Sequence, residues 1–279
     1  VMEKAGKSAV GSVVRLYEGQ DWAILADRMP DPKLYLSLRG GSTQVPHSHL
    51  DLMSFHCVVN GERLIENLSP DGYLDTTFST RRNEIFEIGP TSKNTLLING
   101  VGIASASACD RSEQVCIGGH RGIRLLTTSA MGLSRMGNDS AAHCRRTVLM
   151  LPGPALLIVD RVILPAAGCV ENRLHSRAKV HPARAGALIS GAKESLRVAY
   201  ASTVPALLCA ATTAPTEATA SPATLLRWCT RTRFETEVCF GTLLTPGRGP
   251  SSISIEEEKR RLVIHIACGK ERRVIRIEK

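Results

Sequence analysis

The chain has 279 residues, of which 43% are hydrophobic and 22% are charged. This is the composition of a folded globular protein, and it excludes a disordered or fibrous chain. The sequence has no run of about 18 apolar residues and no apolar segment after its charged N-terminus. We therefore expect no membrane span and no membrane partner, and no secretion signal is visible.

The chain is basic, with 35 Lys and Arg residues against 26 Asp and Glu residues and a formal net charge of +9. Such a charge favours polyanionic partners, although solvated surface residues would account for it equally well. Aromatic residues make up only 4% of the chain, too few for a surface on which bases stack. Nucleic acid is therefore disfavoured as a partner.

The nine cysteines are scattered and form no Cys-x-x-Cys pair, which excludes a zinc ribbon and a thioredoxin-like motif. Several lie inside apolar runs, where a thiol usually behaves as a small buried apolar group. We interpret them as mostly free, and no disulfide pairing can be deduced from their spacing.

Short apolar or alternating runs, bounded by Gly, Pro, Asn or Asp, follow one another along the chain and predict β-strands. In the first half the predicted strands are 22–25, 34–38, 52–59, 63–65, 84–88, 95–98 and 123–127. In the second half they are 148–151, 156–159, 170–180, 196–200, 206–210, 225–244, 253–255, 262–267 and 273–277. The class is all-β.

Turn residues predict how these strands connect. Asn60-Gly61 and Asn99-Gly100 follow apolar strands, and Asn-Gly supplies the positive φ angles of two-residue hairpin turns. Pro152-Gly153-Pro154 predicts a third hairpin. The pattern is typical of a large antiparallel β-sandwich with a small C-terminal β-sheet.

Composition also suggests a division of the chain. Residues 1–19 form a lead-in with a weak helical pattern over 2–16, and 20–211 form the sandwich. Residues 212–222 are rich in Ala, Thr and Pro, as expected for a linker or a long loop. Residues 223–279 then complete the sandwich or form a small sheet.

One cluster of residues carries possible chemistry. His47, His49 and Asp51 alternate before a predicted strand, and an extended backbone would place all three on one side. Two imidazoles and a carboxylate can hold a divalent metal, and imidazoles act as general bases near neutral pH. Polar residues of an ordinary surface loop would show the same spacing.

Two metal-dependent families use similar spacings. A cupin has a glutamate three or four residues after His-x-His, where this chain has Met53 and Ser54. A metallo-β-lactamase-like hydrolase has a histidine directly after the aspartate, where this chain has Leu52. A cupin-like metal-dependent enzyme remains the weaker alternative.

An ordered set of segments resembles the C-terminal β-sandwich region of heparinase II/III-type polysaccharide lyases. The segments are 35–41 (YLSLRGG), His47-x-His49-x-Asp51, 60–65 (NGERLI) and 94–100 (NTLLING), followed by 145–148, 156–162 and 170–175. The resemblance implies β-elimination of acidic, uronate-containing polysaccharides such as glycosaminoglycans or alginate. It also implies an α/α-toroid domain that supplies part of the acid and base machinery, and a periplasmic or secreted location.

The resemblance also implies roles for individual residues. His47 corresponds to a histidine that projects from the sandwich into the catalytic cleft, and His49 corresponds to a zinc ligand. The other two implied ligands are an Asp and a His, but this chain has Asn67 and Lys93 at those positions. We therefore expect little or no zinc, with Glu66 and Asp71 as the nearest possible replacement ligands.

Four further residues are candidates for substrate binding. Tyr73 falls where the family often carries a loop that faces the substrate, and plain packing is the favoured alternative for this residue. Arg39, Arg81 and Arg82 could bind carboxylates or sulfates through their planar guanidinium groups, and surface solvation is the alternative for each. We expect the chain to be inactive without the toroid domain, and a non-catalytic carbohydrate-binding or structural sandwich is the main alternative.

Overall fold

A computed structural model describes residues 11–102, 108–129 and 142–279. Within these ranges the chain forms twenty β-strands and two short 3-10 helices. The strands are, in chain order, β1 (Val13–Tyr17), β2 (Trp22–Ala26), β3 (Leu34–Arg39), β4 (Phe55–Val59), β5 (Glu62–Ile65), β6 (Leu96–Ile98), β7 (Arg111–Ile117), β8 (His120–Ser129), β9 (Ala142–Leu151), β10 (Ala155–Leu164), β11 (Gly168–Ser176), β12 (Lys179–Ala183), β13 (Gly186–Ser190), β14 (Ser195–Ser202), β15 (Leu207–Thr212), β16 (Thr224–Thr232), β17 (Thr236–Pro246), β18 (Ser251–Glu258), β19 (Arg261–Cys268) and β20 (Glu271–Glu278). The 3-10 helices are Arg82–Glu84 and Pro90–Ser92.

The strands form four antiparallel sheets. The first has the order β1-β2-β3-β4-β5, and the second has the order β12-β13-β14-β17-β10-β9-β8-β7. The third has the order β15-β16-β11-β6, and the fourth has the order β18-β19-β20. The predicted all-β, antiparallel sandwich is confirmed.

The eight-stranded sheet is the middle layer, since both of its faces are buried. Val148 and Leu156 pack on one face with residues of the five-stranded and four-stranded sheets. Leu149 and Leu157 pack on the other face against the small C-terminal sheet. A strand that is covered on both faces needs apolar side chains on both, which explains the continuous apolar runs in β9 and β10.

The turn predictions are confirmed where the structure describes the turns. Asn60 and Gly61 have φ angles of 43° and 83° between β4 and β5, and Asn99 and Gly100 have φ angles of 53° and 75° after β6. Gly153 has a φ angle of 72° in the hairpin between β9 and β10. These positive angles are the ones that Asn and Gly adopt most readily.

Two local predictions are wrong. Residues 2–10 of the expected N-terminal helix lie outside the described residues, but Val13–Tyr17 is a strand that pairs with β2. The backbone groups of this strand form hydrogen bonds with β2, and this pairing outweighs the weak helical preference of the sequence. Residues 84–88, predicted as a strand, instead form consecutive tight turns, in which Ile88 N donates to Ile85 O at 3.0 Å.

Residues 213–223 form a loop that joins β15 and β16, which are neighbours in one sheet. Residues 223–279 contribute strands to three of the sheets. β16 enters the four-stranded sheet, β17 enters the eight-stranded sheet, and β18–β20 form the small sheet. The nine cysteines all carry free thiols. Among the residues described here, no helix is long and apolar enough to cross a membrane.

Candidate active site

The loop that carries His47 and His49 connects β3 to β4 and is closed at its base. Arg39 N donates to Ser54 O at 2.9 Å, and Met53 N donates to Arg39 O at 2.7 Å. The Arg39 side chain reaches into the loop, where it donates to Gly40 O at 2.5 Å and Ser42 O at 2.9 Å. Arg39 therefore holds the shape of this loop from inside.

His47 lies exposed at the tip of this loop, in the wall of an open cavity of about 630 Å³. Its φ angle is 60°, a left-handed conformation that is uncommon for a side chain of this kind. The ring of Phe78 contacts the His47 ring edge-on, with centroids 5.3 Å apart, and Tyr73 lies 5.0 Å from Phe78. Tyr73 is 83% exposed and Phe78 is 60% exposed, so an imidazole and two aromatic rings line one accessible surface.

Arg82 fastens the His47 loop to the opposite wall of the cavity. Its Nη2 donates to the carbonyl oxygens of His47 at 3.0 Å and Ser48 at 3.2 Å, and its Nη1 donates to Thr77 O at 2.8 Å. The guanidinium lines the cavity while it makes these bonds. Arg82 thus positions His47 and places positive charge beside it.

The wall that carries Tyr73 is tied to the long loop 212–222. Asp71 N donates to Ala218 O at 2.7 Å, and the Asp71 carboxylate accepts from Thr219 Oγ1 at 2.7 Å. A second contact joins Thr216 Oγ1 to the carboxylate of Glu87. The segment that composition marked as a linker therefore supports the cavity.

Lys93 lies fully buried beneath the cavity. Its ammonium donates to Glu87 O at 2.5 Å, to Leu68 O at 2.7 Å and to His49 Nδ1 at 3.1 Å. Burial lowers the pKa of Lys93 to about 8, against the opposing effect of the carboxylates of Asp51 and Glu87. Most of the Lys93 population is therefore still charged at neutral pH.

His49 is the acceptor in this contact. Burial, together with the positive charges of Lys93 and Arg82, lowers the pKa of His49 to about 4. The imidazole is therefore neutral at pH 7, and its Nδ1 offers a lone pair because an ammonium can only donate. The charged ammonium of Lys93 therefore donates a hydrogen bond to the neutral imidazole of His49.

Asn67 is also buried below the cavity, and both its amide nitrogen and its amide oxygen form hydrogen bonds. Its Nδ2 donates to Ser54 Oγ at 2.8 Å, and its Oδ1 accepts from Asn94 N at 2.8 Å. Ser54 Oγ itself donates to Asp51 O at 2.6 Å, so it needs a donor from Asn67. An amide fits this position because it supplies one donor and one acceptor.

The predicted cluster of His47, His49 and Asp51 does not share one side of a strand. Residues 44–53 form turns, and Ser48 N donates to Val45 O at 3.2 Å. The Asp51 carboxylate faces Arg39, 3.6 Å from its Nε, while the two histidines line the cavity. A period of two applies only to extended backbone, which this loop does not have.

The other candidates lie apart from His47. Arg39 is inside the loop and does not line the cavity of His47, and Arg81 pairs with Glu84 at 2.8 Å beside a separate pocket. Glu66 bonds to Arg177 at 2.9 Å. Five of the predicted residues line one cavity, namely His47, His49, Asp71, Tyr73 and Arg82.

A buried ion pair anchors the cavity floor to the middle sheet. Arg146 of β9 donates to both carboxylate oxygens of Asp160 of β10, at 2.6 and 2.8 Å, and the two side chains are 0% and 1% exposed. Arg146 Nη1 also donates to Met53 O at 2.5 Å and to Asn94 O at 2.8 Å. One guanidinium therefore links the eight-stranded sheet to both chain segments under the cavity.

Comparison with known proteins places this arrangement in a family. The family model described as heparinase II/III-like, C-terminal, matches residues 20–259. The chain belongs to this family. No curated protein matches the chain significantly by sequence.

Solved structures agree with this family in fold. A mutant of heparan sulfate lyase HepC from Pedobacter heparinus matches 99% of this chain and 44% of that chain, with a TM-score of 0.75 and 13% identity. A heparinase III, the BT4657 gene product with methylated lysines, matches 99% of this chain and 43% of that chain, with a TM-score of 0.75 and 12% identity. At such low identity these likenesses show the fold, and this chain spans less than half the length of either structure.

The zinc ion that the family resemblance implies does not fit the residues present. Nδ1 of His49 is bonded to the Lys93 ammonium, and the amide of Asn67 bonds to Ser54 and Asn94 and lies 3.5 Å from His56 Nε2. Among the described residues, no group of three or more His, Cys, Asp or Glu side chains could hold a metal ion. A lysine ammonium is no metal ligand, and its charge repels a cation.

Sequence reasoning missed Phe78 and the contacts of Lys93. Phe78 is a single aromatic residue in the polar segment 76–79, five positions after Tyr73, and a single aromatic residue does not by itself indicate a binding surface. Lys93 precedes an apolar strand and gives no local indication that its ammonium would be buried.

Proposed function

We propose that this chain forms the sandwich side of a polysaccharide lyase cleft that cleaves acidic, uronate-containing polysaccharides by β-elimination. The observation that carries the proposal is the exposed, left-handed His47, held by Arg82 and Phe78 at an open cavity. Backbone conformations of this kind concentrate at functional sites, and the family assignment supports a lyase role.

The reaction requires three kinds of group. A base removes the proton at C5 of the uronate, the electron pair forms the C4=C5 double bond, and the C4–O bond breaks. An acid then protonates the departing oxygen, while positive charge or hydrogen-bond donors stabilise the carboxylate as charge develops on it. His47 suits proton transfer or carboxylate stabilisation, and the charge of Arg82 lies on the same side of the cavity.

The exposed rings of Tyr73 and Phe78 suit a sugar ring. Their apolar faces can cover the C–H face of a pyranose, and the phenol of Tyr73 can bond to a hydroxyl. The same rings would serve a carbohydrate-binding sandwich without catalysis, and this is the second candidate function. Activity of a longer protein separates the two functions, since a binding module contributes no group to the reaction.

A second domain completes the proposed site. Of the two histidines that line the cavity, only His47 is exposed, whereas elimination needs base and acid held together within hydrogen-bond reach of one sugar. The chain also spans 43–44% of the heparinase structures that it matches. We propose that an α/α-toroid supplies the remaining groups, and that the protein acts in the periplasm or outside the cell, where such polysaccharides occur.

The test is the ultraviolet absorbance of the unsaturated product, with heparan sulfate and alginate as substrates. The 279-residue chain should give no product, and a longer protein that restores an upstream helical domain should be active. In that protein His47→Ala should lower kcat by about 100-fold or more. His181→Ala, which changes an exposed histidine of β12, is the matched control and should leave kcat unchanged.

Two results would contradict the proposal. Product formation by the short chain would show that no second domain is needed. Full activity of the folded His47→Ala variant would remove His47 from the reaction.

A further inference from the structure

The Lys93 ammonium has the bonding of a bound cation. Its three protons meet three acceptors, which are His49 Nδ1, Leu68 O and Glu87 O. These acceptors come from three separate segments, namely the loop after β3, the segment after β5 and the turns before Pro90. Without a cation, the two buried carbonyl groups and the imidazole would lose their donor, which is costly inside a protein.

Three segments that meet at one cation are cross-linked by it. The His49 segment carries His47, and the other two lead into the walls of the same cavity. Burial lowers the pKa of Lys93, but the nearby carboxylates of Asp51 and Glu87 raise it and so favour the charged form. The ammonium is therefore in a site where a positive charge is partly compensated.

We propose that the Lys93 ammonium is a cation supplied by the chain itself, which takes the structural place of the zinc ion implied by the family resemblance. The cavity then needs no metal for its shape. Asn67 agrees with this role, because its amide donates to Ser54 Oγ, and a carboxylate ligand could not donate there. The proposal concerns how the cavity is built, so it stands whether or not the cavity catalyses elimination.

The first test is the metal content of the chain. Protein incubated with zinc chloride and then desalted should carry well under one zinc per chain, and EDTA should leave its thermal unfolding midpoint unchanged. Stoichiometric zinc that disappears in His49→Ala would overturn the proposal, since a metal ion would then hold the position that is assigned here to the ammonium.

The second test removes the cation. Lys93→Met keeps a side chain of similar length without charge or donors, and its unfolding midpoint should fall by roughly 5 °C or more. Lys33→Met, which changes an exposed lysine before β3, is the matched control and should leave the midpoint unchanged. A Lys93→Met variant as stable as the parent chain would contradict the cross-linking role.

The third test exchanges one cation for the other. The double variant Asn67→Asp/Lys93→His should gain one zinc per chain, measured by isothermal titration calorimetry, and EDTA should lower its unfolding midpoint. A folded double variant that binds no zinc would show that the acceptors do not surround a metal position, and it would overturn the substitution of ammonium for zinc. The metal content of the unaltered chain decides the proposal even if this variant does not fold.

Discussion

Replacing Asp160 with Asn should destabilise the protein more than any single surface change. The substitution keeps the shape of the side chain but removes the charge that faces Arg146, whose guanidinium is 0% exposed. Arg146 would remain buried among neutral partners, which are two carbonyl oxygens, the new amide and the ring of Phe55. Removing one partner of a buried ion pair costs about 3–5 kcal/mol, because the other charge is left uncompensated.

The upper part of that range is expected here. Asp160 also accepts from Asn172 Nδ2 at 2.8 Å, so one carboxylate receives three charge-assisted hydrogen bonds. The loss should appear as a fall in the thermal unfolding midpoint of roughly 10 °C. Differential scanning calorimetry at pH 7 measures both the midpoint and the enthalpy.

A matched control separates burial from charge. Glu84→Gln makes the same carboxylate-to-amide change in the Arg81–Glu84 pair, which has the same 2.8 Å contact but side chains that are 66% and 62% exposed. Its midpoint should not move, since exposed pairs are screened by water. Equal shifts in the two variants, or an Asp160→Asn midpoint within about 2 °C of the parent chain, would refute the reasoning.

Two further predictions concern pH and salt. Stability should fall as the pH drops below about 6.5, because burial and the charges of Arg173 and Lys93 lower the pKa of His175 to about 3, whereas the unfolded chain binds the proton near 6.5. At pH 5 the protonation of His175 should lower the free energy of unfolding by roughly 2 kcal/mol. The lowered pKa values of His49 and His56 act in the same direction. An unfolding midpoint that is equal at pH 7 and pH 5 would contradict this prediction. Binding to heparin or alginate resin should weaken steeply from low to moderate salt, because the net charge of +9 acts through a field that salt screens. Retention that ignores salt, or equal retention on a neutral glycan, would count against this electrostatic attraction.

The strands and several turns could be predicted from the sequence, because their causes are local. Asn and Gly tolerate the positive φ angles that Asn60 and Gly61 adopt, and the apolar runs of β9 and β10 reflect burial on both faces of the sheet. The resemblance to heparinase II/III-type lyases was readable for the same reason, since short motifs keep their order along the chain. The family match over residues 20–259 confirms it.

The candidate site depends on contacts between distant parts of the chain. Phe78 meets His47 across 31 positions, and Lys93 meets His49 across 44 positions. The sequence indicates that Lys93 replaces a possible metal ligand, but only the tertiary structure shows that its ammonium finds three acceptors. Likewise, the local spacing of His47, His49 and Asp51 does not show that the Asp51 carboxylate faces Arg39, 3.6 Å from its Nε. A local pattern determines the conformation of a strand, whereas the partner of a loop side chain is decided by which segments the packed sheets bring together.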